Sequence, residues 1–151
     1  MTLRALDRAS VAEVKASKIS RTDGYLVVAM RLYPRFLPRG LTDEYTKSLA
    51  PEAALFGRYR ELKKQSGQQN LAFQAARYEQ SFALSEEGMD DLARLAALSS
   101  SQSTFLICQC DRQEYCHVDL LLLMAERHFG AKIGKLPFAY EAFRERLRTG
   151  L

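Results

Sequence analysis

The sequence predicts an α/β fold, a single domain over residues 1–151 with a mostly parallel sheet flanked by helices. Three observations carry that expectation. Short apolar runs at residues 25–30 and 104–109 read as buried strands. Segments of helical periodicity separate them. The second run leads through a loop into an apolar helix and then a further short apolar segment, the strand–loop–helix–strand order of a crossover unit. A chain of 151 residues can bury roughly two thirds of its unfolded surface, so neither a disulfide nor a metal is needed to fold it.

Taken in order, residues 11–19 place apolar side chains on alternate positions and are expected as the first strand, followed by the turn signal Asp23-Gly24 and the strand at 25–30. Residues 31–40 hold two prolines and end on glycine, which makes them a long loop, and that loop carries Arg31, Arg35 and Arg39. Thr42 and Asp43 resemble the start of a short helix, and Pro51 suits the first turn of a helix running towards Gln65. Asn70 is expected to cap a helix through Phe73, Tyr78 and Phe82. Ser85, with Glu86 and Glu87 behind it, should cap one that ends near Ser99 and turns Met89, Leu92, Leu95 and Ala96 inward. The remaining expectations are a strand at 104–109, a helix at 116–129 closed by Gly130, a short strand at 131–133 and an amphipathic helix at 137–148.

Hydrophobic residues at 47% and charged ones at 26% are ordinary for a globular protein and exclude a disordered chain. The opening residues lack an apolar core of signal-peptide length, and the longest aliphatic run, residues 120–123, is too short to cross a bilayer. A cytoplasmic protein without a membrane partner is therefore expected, its three cysteines reduced. The excess of 22 basic over 18 acidic side chains is small and points only weakly to an anionic partner.

The segments Asp23-Gly-Tyr25, Arg31-Leu-Tyr-Pro-Arg35, Arg39-Gly-Leu41 and Leu49-Ala-Pro51, with Phe73 and Tyr78 after them, resemble in their order the YeaO-like branch of the domain-of-unknown-function 488 (DUF488) family. The likeness runs from about Ile19 to Gly130. Residues 105–120 resemble the other branch of that family, in which a strand ends in cysteine and a Cys-His-Arg element opens a helix eight positions later. Cys108, Cys116 and His117 fall on those positions. The chain departs from that pattern at Val118, where the arginine would stand, at Cys110, usually glutamate, and at Ala29-Met30, where an aspartate normally precedes the arginine. The resemblance implies an α/β fold and a pocket joining the arginine loop to the cysteine stretch, and it implies no reaction.

Cys108, Cys110, Cys116 and His117 lie within ten residues, and no other cysteine occurs. The leading reading is nucleophilic or redox chemistry, with Cys116 or Cys108 as the reactive thiol. A thiol at a helix start faces unsatisfied N–H groups that favour the thiolate, as expected of Cys116, and His117 would be base or orienter. In that reading Arg31, Arg35 and Arg39 grip a phosphate-bearing ligand or nucleotide. A second reading makes Cys-x-Cys-x5-Cys-His a metal site, although the spacing departs from the two separated knuckles usual for zinc. A third is a non-catalytic nucleotide or nucleic-acid binding module with the cysteines as packing. Against the arginine site stands plain surface pairing with Asp43, Glu44 or Glu52.

Weaker features complete the list. His128 suits the carbonyls at a helix end, Arg144, Arg146 and Arg148 read as a solvated face, and Tyr25, Tyr33, Phe36 and Tyr45 read as anchors before stacking platforms. Phosphate-loop, nucleophile-elbow and zincin motifs are absent, which removes ATPase, serine hydrolase and zincin readings. Cofactor, reaction and oligomeric state stay open.

Overall fold

The computed structural model describes residues 4–151. Its strands are β1 (Leu6–Ser10), β2 (Tyr25–Val28), β3 (Glu44–Tyr45) and β4 (Thr104–Cys108), and its helices are α1 (Val11–Lys15), α2 (Ala53–Ser66), α3 (Gln69–Ala75), α4 (Tyr78–Ser81), α5 (Glu86–Ser99), α6 (His117–Phe129) and α7 (Glu141–Arg148). The strands form one sheet in the order β1-β4-β2-β3, every pair parallel, with Leu6 opposite Thr104 and Tyr25 opposite the same residue on the other side. The expected α/β class with a parallel sheet is the observed one.

Both faces of the sheet are covered, and period-two alternation assigns each strand residue to a face. Val27, Ala29, Leu106 and Cys108 join the larger core with α5, α6 and α7, while Leu26, Val28 and Ile107 pack with Val11, Val14, Ile19 and Leu37 on the other side. At the start of β2 the strands come so close that a Cβ on Gly24 would lie 2.4 Å from the Ser103 carbonyl oxygen.

Several elements differ from expectation, each for a local reason. Residues 11–15 are helical, because Ser10 and Glu13 form a reciprocal capping box, each side chain accepting the other's backbone N–H at 3.0 Å. The first strand lies just before, at Leu6–Ser10, where Asp7 and Arg8 hide the apolar pattern. Asp43 starts no helix. Its carboxylate accepts the Leu26 N–H at 2.8 Å, and its own N–H bonds the Leu26 carbonyl, which begins the edge pairing of β3. Asn70 caps nothing, since its oxygen accepts the Tyr115 N–H at 2.8 Å, and the expected single helix breaks into α3 and α4 at Arg77, whose φ is 55°.

α5 runs as expected from Ser85, whose hydroxyl accepts the Gly88 N–H. α6 ends at Gly130, with φ 68° as its left-handed C-terminal turn requires. Residues 131–133 contribute a single parallel bridge, Ile133 to Leu6, rather than a strand. α7 begins at Glu141 rather than at Pro137, after Tyr140 in the left-handed region.

Because the sheet is parallel, β2 and β4, which are neighbours, finish at the same edge. The arginine loop leaves β2 there and the cysteine loop leaves β4 there, so topology alone brings residues about 80 apart in sequence to one crevice.

Candidate functional site

A cleft of ≈ 1200 Å³ opens at that edge. Its floor is Cys108, Cys110, Cys116 and His117, and one wall is the loop after β2, with Arg31 and Arg35. The other wall is α2, which presents Arg60, Lys63 and Lys64. Arg39 does not line the cleft; its guanidinium lies 4.2 Å from the centre of the Tyr33 ring. Arg31 donates to the Pro51 carbonyl at 3.4 Å, and among the described residues none of Arg31, Arg35, Arg39, Arg60, Lys63 or Lys64 forms an ion pair. The expected surface alternative is absent, since Asp43 pairs with Arg21 and Glu44 with Arg94.

The three sulfurs all lie within 4.8 Å of one another. Each arrives from a different local structure. Cys108 is the last residue of β4, Cys110 sits in the loop, and Cys116 is the N-cap of α6. Cys108 and Cys116 are each 1% exposed, while Cys110 is half-buried and reachable from the cleft. Gln69, itself buried, donates to the Cys110 sulfur at 3.1 Å and to the Tyr115 carbonyl at 3.1 Å, and the Tyr59 hydroxyl donates to the Gln69 oxygen.

Sulfurs this close share their protons unequally. Donation from the Cys108 and Cys116 thiols holds Cys110 down at about 3, against the opposing effect of burial. Cys108 is pushed up, first by its interaction with Cys110, and Cys116 is pushed up first by burial and then by the two neighbouring sulfurs. The least buried sulfur of the trio is therefore the one that favours the thiolate. Burial thus works against the thiolate expected at Cys116, whereas the neighbouring thiols favour one at Cys110. Cys116 does occupy the helix start, but its sulfur is sealed in the core.

His117 lies beside Cys116, with Nδ1 4.0 Å from the Cys116 sulfur. Its Nε2 is 2.6 Å from the Ala29 carbonyl, which can only accept, so Nε2 carries the proton and the Nδ1 lone pair faces the thiol. Burial lowers the His117 pKa and keeps the ring neutral. The three thiols offer a soft cation one trigonal set of sulfurs, with Nδ1 of His117 as an adjacent nitrogen donor, a convergence that the sequence spacing did not foretell.

Beside the thiols lies a buried network that sequence reasoning missed. Arg8 of β1, 4% exposed, reaches Asp119 of α6 at 2.7 Å and also donates to the carbonyls of Glu114 and Asp111, gripping the cysteine loop from within. The Tyr140 hydroxyl donates to Asp119 at 2.5 Å and accepts the Cys116 N–H at 3.2 Å. Burial disfavours the Arg8 charge, but the nearby sulfurs, when ionised, and Asp119 outweigh it and raise the Arg8 pKa. Val118, at the position of the arginine in the resemblance, is fully buried and apolar, so the cation near the sulfurs comes from β1 instead. The only signal for Arg8 in the sequence was a charged residue inside an otherwise ordinary short run.

The other candidates are peripheral. His128 is exposed near the end of α6, and Arg146 donates to the carbonyls of Glu79 and Phe82, which ties α7 to α4. Among the described residues no helix is long and apolar enough to cross a membrane. A profile of the family DUF488-N3a, described as the active DUF488-N3 subclade, matches residues 9–128. Curated proteins and solved structures include no match to the chain.

Proposed function

Since the chain belongs to the DUF488 family, we propose that it is a thiol-dependent cytoplasmic enzyme whose cleft takes a phosphate-bearing ligand and whose attacking group is the Cys110 thiolate. The observation that carries this reading is the thiol trio itself. Two sealed thiols lie within 4.8 Å of a third that faces a cation-rimmed cleft. Such an arrangement lowers the pKa of one sulfur and leaves it accessible, the two conditions for a reactive cysteine.

In the proposed step the Cys110 sulfur forms a bond to an electrophilic atom of the ligand, and the displaced group leaves with its electron pair. That group takes its proton from water in the open cleft, while Cys116 stays sealed beside Cys110 with Nδ1 of His117 facing its sulfur. Arg31 and Arg35 hold the anionic part of the ligand, each free of a carboxylate partner. In the resemblance the position of Cys110 is usually glutamate, and a thiolate there carries the same charge.

The test is alkylation of each cysteine across pH, read by peptide mass spectrometry with and without chelator. A folded-state pKa far below the free value means that Cys110 stays ionised as pH falls, and its labelling rate is flat from roughly pH 9 to pH 5, while a free thiol of pKa about 8.5 loses close to tenfold per unit. The shape is diagnostic rather than the height, because a thiolate of low pKa is also a weaker nucleophile. Cys108 and Cys116 should label only on unfolding. Slow labelling of all three until unfolding would overturn the proposal, and labelling of all three released by chelator would establish the metal reading in its place.

A further inference from the structure

The walls of the cleft are unequal, and α2 is the unusual one. Of its 14 residues only Leu55 is fully buried, with Tyr59 and Leu62 packed against the core. Arg58 serves the fold, donating twice to the Ala76 carbonyl that ends α3. Phe56, Arg60, Lys63 and Lys64 recur at helical spacing on one face, and that face lines the cleft. Counting both walls, Arg31, Arg35, Arg60, Lys63 and Lys64 oppose only two lining carboxylates, Glu61 and Glu114, and none of the five cations is ion-paired. Elsewhere the arginines divide, since Arg8, Arg21, Arg94, Arg112 and Arg148 have carboxylate partners and Arg39, Arg58, Arg77, Arg127, Arg144 and Arg146 have none among the described residues. A helix that exposes nearly everything and leaves its cations unpaired on the cleft side is not explained by folding.

We infer that α2 and the arginine loop form the two walls of a groove for single-stranded nucleic acid, whose phosphodiester backbone lies on these cations above the cysteine floor. This rests on the proposed thiol site and names its substrate class. Three observations favour that ligand. The volume of ≈ 1200 Å³ exceeds the roughly 300–1000 Å³ of pockets for small molecules, so a lone phosphate or nucleotide leaves it largely empty. Flat aromatic surfaces line it together with the cations, among them Tyr33, Tyr59, Tyr115 and Phe56, the last with the Arg60 guanidinium 5.5 Å from its ring centre. Cations along a groove with interleaved aromatics are what single strands use, and an acidic peptide has no need of the rings. The half-buried floor sulfur is within reach of a splayed strand but not of a base held inside a duplex.

The experiment is fluorescence anisotropy of the whole chain with a labelled oligothymidylate of about a dozen nucleotides, a length that covers a typical single-strand site. Polyglutamate, thymidine monophosphate and a duplex of equal length serve as competitors. The expected result is binding that weakens with salt and is displaced at least tenfold less effectively by each competitor. The triple variant Arg60→Gln, Lys63→Gln, Lys64→Gln should bind more than tenfold more weakly, with a salt slope shallower by about 2, since each phosphate contact on a single strand adds about 0.7. Its circular dichroism and unfolding midpoint should match the parent, as these positions are exposed.

Absence of binding at low salt, equal competition by polyglutamate or duplex, or an unchanged slope in a folded triple variant would each overturn the inference. Competition by the mononucleotide at equal potency would overturn it in favour of a small anion. The pH profile of Cys110 alkylation in the triple variant is read in parallel. A flat profile alongside failed binding removes the nucleic acid and keeps the thiol site, whereas loss of the flat profile in the parent removes the thiol site itself.

Discussion

Two groups of arginines border the cysteine loop, and they are held in different ways. Arg8 is sealed in the interior, its guanidinium divided between the Asp119 carboxylate and two loop carbonyls, and only its Nε lacks a partner. Arg31 and Arg35 stand in the cleft with at most a long bond to a carbonyl. The same side chain thus serves two ends. A buried cation must be matched within the protein, or its desolvation is left uncompensated. An unmatched cation at a cleft remains hydrated, keeps its charge at little cost, and can exchange water for an anionic ligand. In this protein partnership, more than residue type, separates the arginines that build the site from those that can serve it.

The sharpest way to break the comparison is to remove the buried member. Arg8→Ala leaves Asp119 buried without its cation, and a loss of about 3–5 kcal/mol is expected, measured as the urea unfolding free energy. Replacing the pair together, Arg8→Met with Asp119→Leu, should recover most of that loss. A double variant as unstable as Arg8→Ala would mean that the hydrogen bonds of Arg8 to the cysteine loop, and not its charge pairing, hold this region.

The next effect in size is at Gln69, where Gln69→Leu removes the N–H donor at 3.1 Å from the Cys110 sulfur. A hydrogen bond to a charged group contributes about 1.5–3 kcal/mol, which is about one to two pKa units. The Cys110 pKa should rise by that amount, so that thiolate is lost at a higher pH than in the parent. An ultraviolet titration of the thiolate, coincident with that of the parent, would show that the neighbouring thiols alone hold the charge.

Tyr140→Phe is the next step down. It removes both a donor to Asp119 and the acceptor of the Cys116 N–H, with an expected cost of about 1–3 kcal/mol and no change in the pH profile of Cys110 labelling. The smallest effect belongs to the exposed group. Arg35→Ala should alter unfolding free energy by less than about 0.5 kcal/mol, and a larger loss would mean that this arginine, too, serves the fold.

The elements that could be read from the sequence are those whose signals are local. The Ser85 cap with its acidic first turn, the apolar stretch ending at Gly130, and the apolar runs of β2 and β4 owe their structure to neighbours a few residues away. The misread segments are those whose local signal was outbid from a distance. Asn70 and Asp43 are good caps by composition, but each is engaged by a backbone N–H from another element, Tyr115 and Leu26 respectively. β1 was invisible because Arg8 reads as polar until Asp119, 111 residues away, neutralises it.

The candidate site divides along the same line. Local sequence determined that three thiols and a histidine sit at a strand-to-helix loop, that an arginine-bearing loop follows an earlier strand, and that the chain is α/β. Which sulfur is favoured to carry a charge depends on burial and on the mutual approach of the three sulfurs, quantities that exist only once β4, the loop and the start of α6 have folded back on one another. Likewise α2 enters the site only because it packs across the crevice from the arginine loop. Its Arg60, Lys63 and Lys64 look in sequence like any solvated helix face, and long-range packing alone decides that the solvent they meet is that of the cleft. Residue types set the chemistry available, and desolvation and proximity, both long-range properties of the fold, select which of it is expressed.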